Sequence, residues 1–169
     1  MVAIYENHFK QDEATLKEVF LYQYFRDVKY ILIDVMMLGV IIFNLFFHKG
    51  GSFVGKTYPI CLEIIFWAYK YFACTNLVRS VLARNQEAAH GGALENNILI
   101  SKGGFVYNDN AGVNQRVEFT DLAKAYCTKS CIVLQTKDGT IYICRKDAFT
   151  LGDADSFIAH LKKKGVKVK

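Results

Sequence analysis

Two long apolar stretches, separated by a short glycine-rich segment, constrain this chain more than any other feature. The first, residues 28–47, reads VKYILIDVMMLGVIIFNLFF, and the second, residues 58–78, reads YPICLEIIFWAYKYFACTNLV. A helix needs about 20 residues to cross the hydrocarbon core of a bilayer, and each stretch has about that length. The sequence therefore predicts a transmembrane helical hairpin over residues 28–78.

The alternative is a helical hairpin that is buried inside a soluble protein. Helices that are apolar on all sides need neighbouring layers that cover every side. The residues outside the hairpin leave little chain to form such a cover. The sequence therefore favours the membrane over a soluble core.

Polar side chains interrupt the two stretches, among them Asp34, Asn44, Glu63 and Lys70. In an antiparallel hairpin, positions at equal distances from the connection lie at the same depth, so Asp34 faces Lys70. By the same argument, Asn44 lies close to Glu63. Because an unpaired charge at the bilayer centre costs about 2.5–3.5 kcal/mol, we predict that these pairs hold the hairpin or its oligomer together. An ion or proton path, and snorkelling of Lys70 to the interface, are the alternatives.

The charges that flank the two stretches predict the orientation of the hairpin. Positive charge concentrates on the cytoplasmic side of membrane spans. Basic residues are more numerous on the terminal side than in the connection. The terminal side has Lys17, Arg26, Lys29, Arg79 and Arg84, and the connection has Lys49 and Lys56. This distribution places both termini in the cytoplasm.

The segments on either side of the hairpin carry their own signals. Residues 1–27 begin with VAIYENHF, an alternation typical of a strand, and Asp12 can then cap a helix. Residues 79–92 read as a helical linker that stops at Gly91 and Gly92. A strand and a helix are thus expected before the hairpin, and a linker after it.

Residues 93–169 change to a pattern of short strands and turns. Several stretches are rich in β-branched and aromatic residues, and Asp138 with Gly139 predicts a tight turn between two of them. The chain closes with an amphipathic helix that Thr150 or Asp153 can cap. The expected fold is α+β: a transmembrane helical hairpin with a C-terminal pleckstrin-homology-like (PH-like) antiparallel β-domain closed by a C-terminal helix.

The stretch VEFTDLAKAYCTKSCIVLQTKDGTIYICRKDAFT resembles part of the bacterial YcxB-like membrane proteins. Phe119 stands at that family's aromatic position and Leu122 at its aliphatic position, before a hairpin. Lys146 and Phe149 match the motif that precedes the final helix, where Arg145 stands in place of the usual proline. The resemblance implies a cytosolic PH-like domain anchored in the bacterial cytoplasmic membrane, and it brings no catalytic residues.

No arrangement of nucleophiles or metal ligands stands out in the sequence. The five cysteines form no CxxC pair, which is typical of core thiols in a reducing compartment. The less favoured alternative is a zinc site formed by Cys127, Cys131, Cys144 and His160. The segment GGSFVGKT has the spacing of a phosphate-binding loop but lacks the preceding buried strand that such loops need. The sequence therefore predicts no enzyme, no cofactor and no metal.

The C-terminal stretch LKKKGVKVK carries a cluster of lysines: Lys162, Lys163, Lys164, Lys167 and Lys169. Its first interpretation is a solvated helix end, since cations suit a helix C-terminus. Attraction to anionic lipid headgroups is the functional alternative. Nucleic-acid binding is not predicted, because basic and aromatic residues do not interleave.

These features predict a membrane-anchored interaction or regulatory protein. Its expected partners are the lipid bilayer, an unidentified protein and further copies of itself. The alternative is an oligomeric transport or channel component that uses the same polar groups. Substituting Lys70 or Glu63 separates the two, because lost packing lowers abundance whereas lost transport lowers flux with abundance intact.

Overall fold

The computed structural model describes three stretches of the chain: residues 2–26, 28–47 and 53–169. The fold is α+β and divides into two compact units. One comprises residues 1–19 and 80–169 and is called the β-unit. The other comprises residues 20–79 and is called the helical unit.

Three helices follow the first strand along the chain. They are α1 (Glu13–Arg26), α2 (Val28–Phe47) and α3 (Phe53–Ala88). The bounds of α2 coincide with those of the first apolar stretch. The carboxylate of Asp12 accepts a hydrogen bond from the backbone N–H of Thr15 at 2.7 Å, which confirms the predicted cap of α1.

Helix α3 extends beyond the second apolar stretch at both ends, and at its C-terminal end it forms the predicted helical linker. It begins at Phe53, so Pro59 lies inside the helix instead of starting it, and one backbone hydrogen bond is given up there. It continues to Ala88 through most of the predicted linker. Beyond it, Gly91 adopts a left-handed conformation with φ 89°, and its N–H donates to the carbonyl of Gln86 at 2.8 Å.

The two predicted membrane spans are not supported. Within residues 2–26, 28–47 and 53–169, no helix is both long enough and apolar enough to cross a membrane. Charged groups interrupt the apolar runs, Asp34 in α2 and Lys70 in α3. These two residues, 36 positions apart on either side of the connection, are in contact, which makes the helices an antiparallel hairpin.

In the described residues, the β-unit contains eight strands and a C-terminal helix. The strands are β1 (Tyr5–Lys10), β2 (Glu95–Ile100), β3 (Gly104–Asp109), β4 (Asn114–Glu118), β5 (Leu122–Cys127), β6 (Cys131–Thr136), β7 (Ile141–Arg145) and β8 (Phe149–Leu151). One sheet has the order β4-β3-β2-β1-β8 and the other β5-β6-β7, with antiparallel neighbours in both. Helix α4 (Ala154–Lys163) is capped by Asp153, which accepts from the N–H of Ser156. An antiparallel β-domain closed by a C-terminal helix is thus confirmed.

Strand β1 lies inside this domain, although the sequence assigns it to a separate N-terminal segment. It pairs with β2 along its whole length, from Tyr5 opposite Ile100 to Lys10 opposite Glu95. Its other edge pairs with β8. The folded domain therefore consists of residues 93–169 completed by a strand from the other end of the chain.

The side chain of Asn7, in β1, joins the two sheets. It is fully buried. Its amide group donates to the carbonyl of Arg145 at 2.7 Å, and its oxygen accepts from the N–H of Arg145 at 3.2 Å. Because Arg145 ends β7, these bonds continue the hydrogen bonding of the three-stranded sheet onto β1.

One hydrophobic core is shared by both sheets and α4. The structure places Phe119 and Leu122 within this core and packs Phe149 against it. From α4, Phe157 and Leu161 enter the same core. Lys146 is instead half-buried outside this core, and its ammonium group donates to two backbone carbonyls of the turn between β5 and β6.

Asn7→Ala should destabilise the β-unit, because it removes both partners of the Arg145 backbone groups. Leaving such buried groups unpaired costs about 1–3 kcal/mol, so we expect a lower midpoint of thermal unfolding, measured by circular dichroism on the full-length protein. His8→Ala, at the neighbouring exposed position of β1, is the matched control and should unfold near the wild-type temperature. Equal midpoints for the two variants would contradict the bridging role of Asn7.

Candidate functional site

The most unusual side chain of the helical unit is Lys70, a fully buried lysine in α3. Its Nζ lies 3.0 Å from Oδ2 and 3.4 Å from Oδ1 of Asp34 in α2. The side chain of Asp34 keeps 23% of its exposure, so only the cation is completely removed from solvent. The structure thus brings together one of the two pairs predicted from the sequence.

Aromatic rings surround the ammonium group of Lys70. The ring centroids lie 4.9 Å (Phe25), 5.4 Å (Tyr30), 5.3 Å (Phe66) and 5.1 Å (Trp67) from Nζ. The face of an aromatic ring carries partial negative charge and attracts a cation within about 6 Å of its centroid. Sequence reasoning missed this cage, although Phe66 and Trp67 precede Lys70 at the spacing of one helix face.

The second predicted pair, Asn44 with Glu63, does not form. Asn44 donates to the carbonyl of Val40 in its own helix at 3.0 Å. Glu63 accepts from the indole N–H of Trp67 at 2.8 Å. The other carboxylate oxygen of Glu63 is buried and has no hydrogen-bond partner among the residues that the structure describes.

The register of the hairpin explains this difference. Since Asp34 lies level with Lys70, the position level with Asn44 is Ile60. Glu63 is one turn away along α3, about 4.5 Å from that level. A partner within the same helix is then nearer to each side chain than the partner predicted across the hairpin.

Large apolar side chains are exposed on several sides of the helical unit. In α2, those more than half exposed include Leu32, Val35, Met36, Phe43 and Phe46. In α3, they include Tyr58, Ile64, Ile65, Tyr69 and Phe72. Consecutive helix positions point about 100° apart, so adjacent exposed residues face different directions. Exposed apolar surface on several sides of a pair of helices is typical of interaction sites.

The C-terminal lysines all have exposed side chains: Lys162, Lys163, Lys164, Lys167 and Lys169. Residues after α4 run beside β5, where the N–H of Ala125 donates to the carbonyl of Lys167 at 2.9 Å. The N–H of Lys169 donates back to the carbonyl of Ala125 at 3.0 Å. The end of the chain is therefore held against the open edge of the three-stranded sheet.

A polar contact that sequence reasoning missed ties α1 to the turn between β5 and β6. Glu18 accepts from Ser130 twice, with Oε1 from the N–H at 2.8 Å and Oε2 from the hydroxyl. Burial raises the pKa of Glu18, but hydrogen bonds from Ser130 and Thr128 outweigh it and hold that pKa below its usual value. Arg145 adds an ion pair with Asp12 at 3.2 Å. No local pattern signals these contacts, because Glu18 and Ser130 are 112 positions apart.

The cysteines and histidines form no metal-binding group in the described part of the chain. No three His, Cys, Asp or Glu side chains there lie close enough to hold a metal ion. Burial raises the pKa of both Cys131 and Cys144, which disfavours the reactive thiolate. The ring of His160 lies beside those of Tyr5 and Phe119. The segment GGSFVGKT lies partly outside the described residues.

The family model described as YcxB-like protein matches residues 100–161. This stretch runs from the end of β2 into α4 and contains β3 to β8, so this part of the chain is a YcxB-like domain. The resemblance predicted from the sequence is confirmed there. The match does not include β1, α1 or the helical unit. The chain has no match among curated proteins.

Lys70→Met should destabilise the hairpin, because it leaves the carboxylate of Asp34 without its cation. Removing one member of a buried ion pair costs about 3–5 kcal/mol, so we expect a marked loss of full-length protein in cells, measured by quantitative immunoblotting. The double variant Asp34→Asn with Lys70→Met removes both charges and should recover much of the abundance.

Asn44→Ala is the control for this pair, since among the described residues Asn44 donates within its own helix turn. We expect it to accumulate to the wild-type level. A double variant no more abundant than Lys70→Met would show that pairing with Asp34 is not the main role of Lys70.

Glu18→Gln should lower stability at neutral pH and have less effect in acid. The pKa of Glu18 is lowered on folding, so its contribution is fully present above the unfolded value of 4.5 and is lost as pH falls through the folded pKa. The difference in thermal midpoint from wild type should therefore shrink below that pH. Ser130→Ala removes a donor to the same carboxylate and should show the same trend. A difference that persists unchanged into acid would contradict this assignment.

Proposed function

We propose that this protein, which carries a YcxB-like domain over residues 100–161, is a membrane-anchored interaction protein. The helical unit is its lipid anchor. The β-unit presents a PH-like binding surface to a protein partner. No reaction is assigned to the chain, and no cofactor or nucleic acid enters the proposal.

The exposed apolar surface of α2 and α3 is the observation that carries the proposal. Monomeric soluble proteins rarely expose contiguous apolar patches larger than about a few hundred Å². Here side chains such as Val35, Phe43 and Ile64 are exposed on helices whose apolar residues point in all directions. Exposed Tyr58 lies at the start of the apolar run of α3, where tyrosine favours a membrane interface.

The ion pair between Asp34 and Lys70 supports an anchor in lipid despite the charges in both helices. Each unpaired charge near the bilayer centre costs about 2.5–3.5 kcal/mol. In the hairpin the two charges are in contact, and aromatic rings replace water around the ammonium group. The hairpin therefore enters lipid at a lower cost than either helix would alone.

The proposal places the anchor in the bacterial cytoplasmic membrane, with both chain termini in the cytoplasm. The excess of basic residues on the terminal side of the hairpin supports this orientation. A second support is that the β-unit is built from two chain segments, residues 1–19 and 80–169, which form one compact body. Both ends of the hairpin lead into that body, so they must leave the membrane on the same side.

Strand β4 is the proposed contact for a protein partner. It is the end strand of the five-stranded sheet, so one of its edges has no neighbouring strand among the described residues. An extended segment of another protein can add to such an edge through backbone hydrogen bonds. The corresponding edge at β5 is already occupied by the end of the chain itself.

The anchor is tested by washing membranes from cells that express the full-length protein at alkaline pH. We expect the wild-type chain to stay with the lipid. Val35→Asp with Phe46→Asp changes side chains of α2 that are 60% and 71% exposed. It should release much of the protein, since each charge placed in lipid costs about 2.5–3.5 kcal/mol.

The matched control is Val113→Asp with Leu151→Asp, which adds the same charge at exposed apolar positions of the β-unit. This variant should stay with the lipid like the wild type. Release of the wild-type protein into the wash, or equal release of the two variants, would contradict an anchor formed by the helical unit.

A further inference from the structure

We propose that six lysines of the β-unit form a basic face that binds anionic lipid headgroups of the membrane that holds the anchor. The basic face consists of Lys124, Lys162, Lys163, Lys164, Lys167 and Lys169. This inference rests on the proposed function, since the anchor keeps the β-unit tethered to a bilayer. It adds a second, electrostatic contact with the lipid and names its chemistry.

The tail after α4 presents its lysines in a fixed geometry. Val168 pairs with Ala125 of β5 in a parallel bridge, and the N–H of Cys127 donates to the carbonyl of Lys169 at 3.2 Å. Val166 is buried in the core and Val168 packs against it. The lysines of the tail therefore lie on an ordered strand-like segment and not on a loose end.

Alternation along this segment places its lysines on one side. Neighbouring residues of an extended chain point to opposite faces, so Lys167 and Lys169 face away from the core that holds Val168. On the adjacent strand, Ala125 is buried in the core and Lys124 points the other way. The register of the bridge sets Lys124 beside Lys167, which brings three cations to one surface.

The end of α4 adds the remaining cations. Lys162 and Lys163 lie in its last turn, and Lys164 is its C-terminal cap. The acidic residues Asp153 and Asp155 lie at the opposite end of the helix. Charge is therefore separated along α4, with the basic end next to the tail.

The ammonium groups of the basic face have no carboxylate partner within 4.0 Å in the part of the chain that the structure describes. Crowded like charges repel one another, so such a surface is stabilised when it meets anions. Lipid fits better than single-stranded nucleic acid, because base stacking needs exposed aromatic rings and Tyr126, on β5, is buried. An anionic bilayer attracts clustered lysines of this kind without further specific contacts.

The test uses the full-length protein reconstituted in vesicles of phosphatidylcholine alone or of equal parts phosphatidylcholine and phosphatidylglycerol. A membrane-impermeant amine acetylating reagent labels accessible lysines, and mass spectrometry measures the labelling of each one. Lys137, exposed in the turn between β6 and β7, is the internal reference within the same molecules. We expect labelling of the basic face, relative to Lys137, to fall at least about threefold in the anionic vesicles and to recover at high salt.

Two double variants test whether the lysines bind lipid as one surface or independently of one another. Lys167→Gln with Lys169→Gln should also weaken the protection of Lys162 to Lys164, because all belong to one face. Lys102→Gln with Lys137→Gln removes the same charge elsewhere and should leave the protection unchanged. In that control Lys10, exposed at the end of β1, replaces Lys137 as the reference.

The possible results distinguish this inference from the anchor. Equal labelling in both kinds of vesicle, with the protein still floating with the lipid, overturns the basic face and leaves the anchor standing. Protein that fails to float with either vesicle overturns the proposed function and this inference together. Protection by a DNA duplex in neutral vesicles, without protection by anionic lipid, overturns the inference in favour of nucleic acid.

Discussion

The buried amide of Asn7 is the contact on which the β-unit depends. It binds the backbone of Arg145 through a donor and an acceptor, so the five-stranded sheet and the three-stranded sheet become one body. Because α1 follows β1 directly, the same strand brings Asp12 and Glu18 to the end of β7 and to the turn after β5. The YcxB-like stretch, residues 100–161, is thus completed by a strand and a helix that lie far outside it.

Charged groups in this chain have two distinct environments. The buried Lys70 has Asp34 and the aromatic cage as neighbours, and the half-buried Glu18 accepts from the N–H and hydroxyl of Ser130. The lysines at the C-terminus are exposed and crowded without carboxylate neighbours among the described residues. Burying an uncompensated charge costs far more than leaving it in water, which explains the first environment. The second is the basis of the proposed contact with anionic lipid.

Much of the secondary structure could be predicted because its signals are local. The apolar run of α2 ends where the helix ends, Asp12 and Asp153 cap their helices, and strands appear where β-branched and aromatic residues alternate. Two features of the secondary structure could not be read from local patterns. Pro59 lies inside α3, where tertiary context outweighs one lost hydrogen bond. The short strand β8 has too few residues for a pattern.

The sequence by itself determined the apolar hairpin, the strand-rich C-terminal half and the pairing of Asp34 with Lys70, since these follow from periodicity and from counting along two helices. Only the tertiary structure decided that β1 completes the sheet, that rings enclose Lys70 and that Glu63 binds Trp67 instead of Asn44. It also decided that the last residues pair with β5. The physical reason is distance along the chain. Composition and periodicity report the surroundings of one helix or strand. Contacts between residues far apart in sequence depend on hydrogen-bond geometry and packing, which exist only when the chain has folded.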